Sequence, residues 1–166
     1  MKKLLFILIV GLPILFYSCS KTETDQEYPE IIMNQLGAFP VNCDTLFIGE
    51  TFSFSALFTD NAALGSYSIE IHNNFDHHTH STDIDACVFD PDKIPVNPFL
   101  TIQEFAIPVD LKQFDAKAEI AIPAGVDSGD YHFMIRLTDM EGWQSIKGIS
   151  VKLLEREKTN SQGSNP

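Results

Sequence analysis

"GDYHFMIRLTD", Gly129 to Asp139, decides the fold class. Tyr131, Phe133, Ile135 and Leu137 fall on one phase of a two-residue period, and His132, Met134, Arg136 and Thr138 fall on the other. Side chains alternate across a strand, so the stretch reads as a strand with one core face. The same period runs outward from it. Phe52, Phe54, Ala56 and Phe58 alternate in "TLFIGETFSFSALFTDN", and Tyr67, Ile69 and Ile71 alternate with Ser68, Glu70 and His72 in "GSYSIEIHNN". "NPFLTIQEFAIP", "KAEIAIPAG" and "IKGISVKLLE" are further short apolar runs, the first two punctuated by Pro and Gly. No long stretch has helical spacing. About seven short strands predict an all-β chain folded as an antiparallel β-sandwich. An apolar content of 44%, with 13 Phe, supplies a core for one domain of this length.

Two longer segments carry a resemblance. "DSGDYHFMIRLTDMEGWQS" has Gly-x-Tyr, an alternating strand, then Thr-Asp-x-x-Gly. It resembles strand F and the F–G turn of bacterial immunoglobulin-like and fibronectin-like modules. "LFTDNAALGSYSIEI" is similar to their B–C segment. The resemblance implies an immunoglobulin-like sandwich in which Tyr131 forms a tyrosine corner and Asp139 and Gly142 make the F–G turn. More narrowly, "SIEIHNNFDHHTHS" together with "GDYHFMIRLTD" resembles a family of uncharacterised Bacteroidetes lipoproteins with a single immunoglobulin-like domain. That family has no established activity, so it implies location and fold only.

The amino terminus fits such a location. Lys2 and Lys3 precede an apolar run from Leu4 to Phe16, too short to span a bilayer comfortably. The following Ser18-Cys19 resembles a bacterial lipobox, which implies cleavage before Cys19 and lipidation of its sulfur. The reading is a signal peptide over 1–18, a flexible acidic tether over 19–29, the sandwich over 30–155 and a disordered tail over 156–166. "SKTETD" after Cys19 is loosely similar to the export signals of surface lipoproteins, so the expected address is the outer membrane, facing the periplasm or the exterior. The expected partners are the membrane, through the lipid, and an outer-membrane transporter. The formal charge of −12 becomes more negative once Lys2 and Lys3 are lost. A surface this acidic speaks against nucleic acid. With Cys19 assigned to lipid, Cys43 and Cys87 are expected to pair in an oxidising compartment.

The chemistry-bearing residues are histidines. "IHNNFDHHTH", Ile71 to His80, holds His72, His77, His78 and His80, and the fifth histidine is His132. In an immunoglobulin-like sandwich the end of strand C lies beside the start of strand F. That places His72 across from His132, both on the outward phase, with opposed Cβ atoms about 4.5–5.5 Å apart. His78 and His80 are two residues apart and point the same way in an extended loop; His77 points the other way. The five histidines are the candidate metal ligands, for zinc or copper. Met134 on the same phase as His132 would tilt the preference towards copper. Asp76, Asp83 and Asp85 are candidates for orienting the rings or adding oxygen ligands. The competing readings are a solvated loop, a hydrogen-bonded cluster and a proton switch. Asp83, Asp85, Asp90 and Asp92 form an acidic loop without the spacing of an EF-hand. No nucleophile elbow, P-loop or dinucleotide fingerprint is present, so no enzyme is expected. A metallohydrolase with Glu70 as base is a minor alternative. The expected function is a lipid-anchored envelope protein that binds a transition metal, as accessory to an uptake system. The alternative is a structural or adhesive module for a protein or glycan, with the histidines incidental.

Overall fold

The computed structural model describes residues 24–157. Cys19, the signal-peptide reading and the end of the tail lie outside the described residues. Eight strands follow one another: β1 (Glu30–Ile32), β2 (Thr45–Phe47), β3 (Thr51–Thr59), β4 (Leu64–Asn73), β5 (Thr101–Ala106), β6 (Gln113–Ala121), β7 (Gly129–Asp139) and β8 (Gln144–Leu154). They form two sheets, ordered β1-β3-β6 and β2-β8-β7-β4-β5. The chain is a β-sandwich, as the alternation predicts, with β1 and β2 as three-residue strands. Every strand pair is antiparallel except β2–β8. The chain crosses from the small sheet to the large one between β1 and β2, and β2 meets the edge of β8 running in the same direction. Gly49 and Glu50 break the long Phe-rich run into β2 and β3.

The core lies between the sheets. Tyr131, Phe133, Ile135 and Leu137 of β7 and Ile69 and Ile71 of β4 face Phe54 and Phe58 of β3 and Ile120 of β6, all essentially without solvent exposure. Phe54 meets Phe133 at 5.8 Å, and Phe58 meets Tyr67 at 5.0 Å, so aromatic pairs bridge the layers. The Tyr131 hydroxyl donates to the Asp127 carbonyl at 2.7 Å and accepts from the Phe99 amide at 3.1 Å. A buried hydroxyl with both bonds made is a satisfied polar group at the entrance to β7. Gly129 enters that strand at φ 127, which a side chain rarely adopts.

The domain is wider than the segment 30–155. The tether region docks from Asp25 onward: the Trp143 indole donates to the Asp25 carbonyl at 3.0 Å, Tyr28 packs edge-on to Trp143, and the Ser145 hydroxyl donates to the Pro29 carbonyl. Trp143 therefore holds the N-terminal segment. At the other end Arg156 forms a two-point ion pair with Glu50 and lies 3.8 Å over the Phe47 ring.

Candidate metal centre

β4 and β7 pair so that His72 stands directly opposite His132. The strands fix both residues, because Ile71 and Tyr131 are committed to the core and the next residue must face outward. That outward face is covered, which is why His132 is only 1% exposed. The cover is a flap, residues 74–100, without regular secondary structure between β4 and β5.

A loop of this length needs ties to be ordered, and the flap has many. The Thr82 amide donates to the Gly148 carbonyl at 2.8 Å, and the Gly148 amide donates to the Thr82 hydroxyl at 3.1 Å. Asp83 pairs with Lys147 at 2.9 Å. The Asn42 side chain donates to the Asp85 carbonyl at 2.8 Å. Cys87 is disulfide-bonded to Cys43, with Cα atoms 5.4 Å apart. Further on, Asp90 pairs with Lys152 and the Asp90 amide donates to Asp130. Asp83 and Asp90 thus meet separate lysines and Asp92 meets His77.

The flap carries two rings back over the strand pair. The centroid of the His72 ring is 5.5 Å from that of His78, 5.2 Å from that of His80 and 5.3 Å from that of His132. His78 is 4.9 Å from His80 and 5.1 Å from His132, and His80 is 5.3 Å from His132. All pairs are nearly equal, so the four ring centres mark the corners of a near-regular tetrahedron. A zinc–nitrogen bond of about 2.0–2.1 Å puts each imidazole centre about 3.2 Å from the ion, and tetrahedral corners at that radius are about 5.2 Å apart. The ring centres thus have the spacing of four imidazoles around one point, although only His72, His78 and His132 bring a nitrogen within 4.8 Å of one another.

Two of the rings have one nitrogen engaged. His78 Nδ1 bonds to Asp76, and His132 Nε2 donates to the His78 carbonyl at 2.9 Å. Glu70 Oε1 stands 3.0 Å from His72 Nδ1, off the hydrogen-bond axis but at ion-pair distance. His72 Nε2 and His132 Nδ1 are buried with no hydrogen-bond partner. One nitrogen from each of His72, His78 and His132 lies within 4.8 Å of the other two. Metal-ligating histidines characteristically give their remaining N–H to a carboxylate or carbonyl, and that pattern is present for His78 and His132, while neither nitrogen of His72 makes a hydrogen bond. Burial holds His72 below the usual histidine range, with His80 and His78 adding to the effect and Glu70 opposing it. Burial likewise lowers His132, against the His78 carbonyl. Both shifts favour the neutral ring, the form that ligates.

The family described as "Domain of unknown function (DUF4625)" matches residues 17–154. The chain belongs to the DUF4625 family. No curated protein matches it. Among solved structures, it is similar to Spo0M, the sporulation control protein from Bacillus subtilis, at 8% identity and a TM-score of 0.38. That alignment covers 78% of this chain and 49% of the other, so the chain spans about half the length of that protein.

Of the candidate ligands in this DUF4625 chain, His72, His78 and His132 bring their nitrogens together, His80 brings its ring beside theirs, and His77 is not brought to the cluster. His77 sits in a turn at φ 55, its ring stacks on Phe89 at 4.9 Å, and its Nδ1 is 2.9 Å from Asp92. Met134 lies against Gly148, and neither Asp83 nor Asp85 orients a ring; only Asp76 does.

Sequence reasoning did not single out Gly148, Thr82 or the His78 carbonyl. A Cβ on Gly148 would stand 2.2 Å from the His80 carbonyl oxygen and 2.7 Å from Met134 Sδ. The flap backbone occupies the place of a side chain. Gly148→Ala is therefore expected to lift the His80 segment off β8, costing about 1–3 kcal/mol in stability as overpacking does. It should also weaken metal binding by about tenfold or more, since outer supports of a metal site are worth about 10–100-fold. Thermal melts and zinc titration of the variant check both.

Proposed function

We propose that the protein binds one transition-metal ion, zinc in preference to copper, through His72, His78, His80 and His132. The observation that carries this reading is the near-regular tetrahedron of ring centres, three of whose rings bring a nitrogen within 4.8 Å of one another. Tetrahedral geometry with nitrogen donors suits zinc, and four protein ligands leave no open position for a substrate or water. A binding role is thus favoured over hydrolysis. The lipobox-like Ser18-Cys19 supports a lipid-anchored protein of the bacterial envelope that captures or hands on metal, with an uptake transporter as its partner.

Calorimetric titration of the chelator-stripped protein with Zn²⁺ tests the reading. One ion per chain and a rise in melting temperature are expected, because a ligand that binds only the folded state stabilises it by mass action. A stoichiometry other than one, or binding no tighter than that of a free histidine-rich peptide, would overturn it.

The pH dependence follows from the lowered histidines. Zinc affinity should be nearly flat from pH 8 to 7 and fall as the pH drops below the ordinary histidine value of about 6.5. The metal-free protein has its own linkage. The unfolded chain takes up protons on His72 and His132 at about pH 6.5, whereas the folded chain resists until lower pH. Their contribution to stability is thus complete above that value and is lost as the pH falls towards the folded-state value. Melting temperatures of metal-free protein across pH 5–8 should show this decline; a rise on acidification would contradict it.

A further inference from the structure

The N-terminal segment and the β7–β8 turn hold a second cluster, chemically unlike the first. One carboxylate oxygen from each of Asp25, Asp139 and Glu141 lies within 4.8 Å of the other two. Asp139 is only 4% exposed. Its Oδ1 accepts from the Gly142 amide at 2.6 Å and the Trp143 amide at 2.8 Å, while its Oδ2 is buried without a partner. Asp25 repeats the arrangement: Oδ1 accepts from Asn61 at 2.8 Å and from the Glu27 amide at 3.1 Å, and Oδ2 is buried without a partner. Among the described residues, no Lys, Arg or His makes an ion pair with any of the three. Lys112 is the nearby cation that acts on Asp25, and its ammonium is bonded to the Asn61 carbonyl.

We infer that Asp25, Asp139 and Glu141 form a hard-cation site that takes Ca²⁺. A buried carboxylate oxygen is costly unless paired or metal-bound. Two such oxygens beside a third carboxylate repel one another, and a divalent cation relieves both costs. Oxygens bound to Ca²⁺ at about 2.3–2.6 Å lie at most about 5 Å apart, which the cluster satisfies; Mg²⁺ demands a tighter octahedron. Three carboxylates, one of them exposed, suit the weak extracellular class, about 10⁻⁴–10⁻³ M. Asp25 belongs to the N-terminal segment and Asp139 and Glu141 to the β7–β8 turn, so the ion would clamp that segment to the domain.

Trp143 lies between these parts and is the sole tryptophan of the chain. The test is titration of the metal-stripped full chain with CaCl₂ at constant ionic strength, read by tryptophan emission and by melting temperature. A saturable change with a midpoint of about 0.1–1 mM is expected. Asp139→Asn and Glu141→Gln should each raise the midpoint at least about tenfold, and His72→Ala/His132→Ala should leave it unchanged. Glu141 is exposed, so its substitution leaves the fold intact and the result interpretable even where Asp139→Asn unfolds. No saturable response up to about 10 mM, or an equal response in Glu141→Gln, would overturn the inference.

Discussion

Replacing His72 and His132 together by alanine will abolish the one-to-one zinc complex, weakening binding by more than about 100-fold. The magnitude has a physical floor. Losing a group that merely orients a ligand costs about 10–100-fold in metal affinity, and here two ligands are removed from the rigid part of the site. His78 and His80 would remain, but on a flap whose histidine carbonyl has lost its partner, the His132 ring. The informative control is His77→Ala. His77 has the same chemistry and neighbours His78 in sequence, yet it stacks on Phe89 outside the cluster. Its substitution should change zinc affinity by no more than about twofold, because no bond to the ion is lost. Equal losses in the two variants would mean that zinc is held by an unstructured histidine run and would remove the case for a built site.

The second large effect is on stability. Substituting Cys43 and Cys87 by serine should destabilise the domain by about 4 kcal/mol, the chain-entropy value for a cross-link closing a loop of 44 residues. For a domain of this size that is a fall of roughly 10–20 °C in melting temperature. The position of the bond adds a local consequence. Cys87 lies in the flap, and Cys43 is fixed to β8 by the hydrogen bond its amide donates to the Ser150 carbonyl at 2.8 Å. Cutting the link frees the flap between its Asp85 and Asp90 ties. Amide exchange over residues 86–89 should accelerate more than exchange in β7. A fall of less than about 3 °C would mean that the remaining ties suffice.

The strand residues of the site were legible and the flap was not, for a definite reason. Period-two alternation fixes which way each strand residue faces, and neighbouring strands then place His72 against His132 without any knowledge of side chains. A loop has no period, so nothing in "THSTDIDACVFDPDK" announces that Thr82 grips Gly148 or that Asp83 meets Lys147. The two shortest strands escaped notice because three residues cannot display an alternation. The tether reading took polar and acidic composition as a sign of freedom. Asp25 and Tyr28 dock because their partners, Asn61 and Trp143, are distant in sequence. The acidic cluster was missed for the same reason, since its three members come from both ends of the domain.

Gly148 ties one position in β8 to a loop more than sixty residues earlier. With a flap carbonyl filling the space where a side chain would begin, the position cannot vary freely while the flap lies there. Natural variation across the DUF4625 family should record the constraint. Members that carry histidines at the places of His78 and His80 should keep glycine at the place of Gly148. Members whose connection is short or lacks those histidines should be released to carry Ala, Ser or Val. The dependence belongs to the backbone and not to the metal, so it should persist in lineages that have exchanged one ion for another.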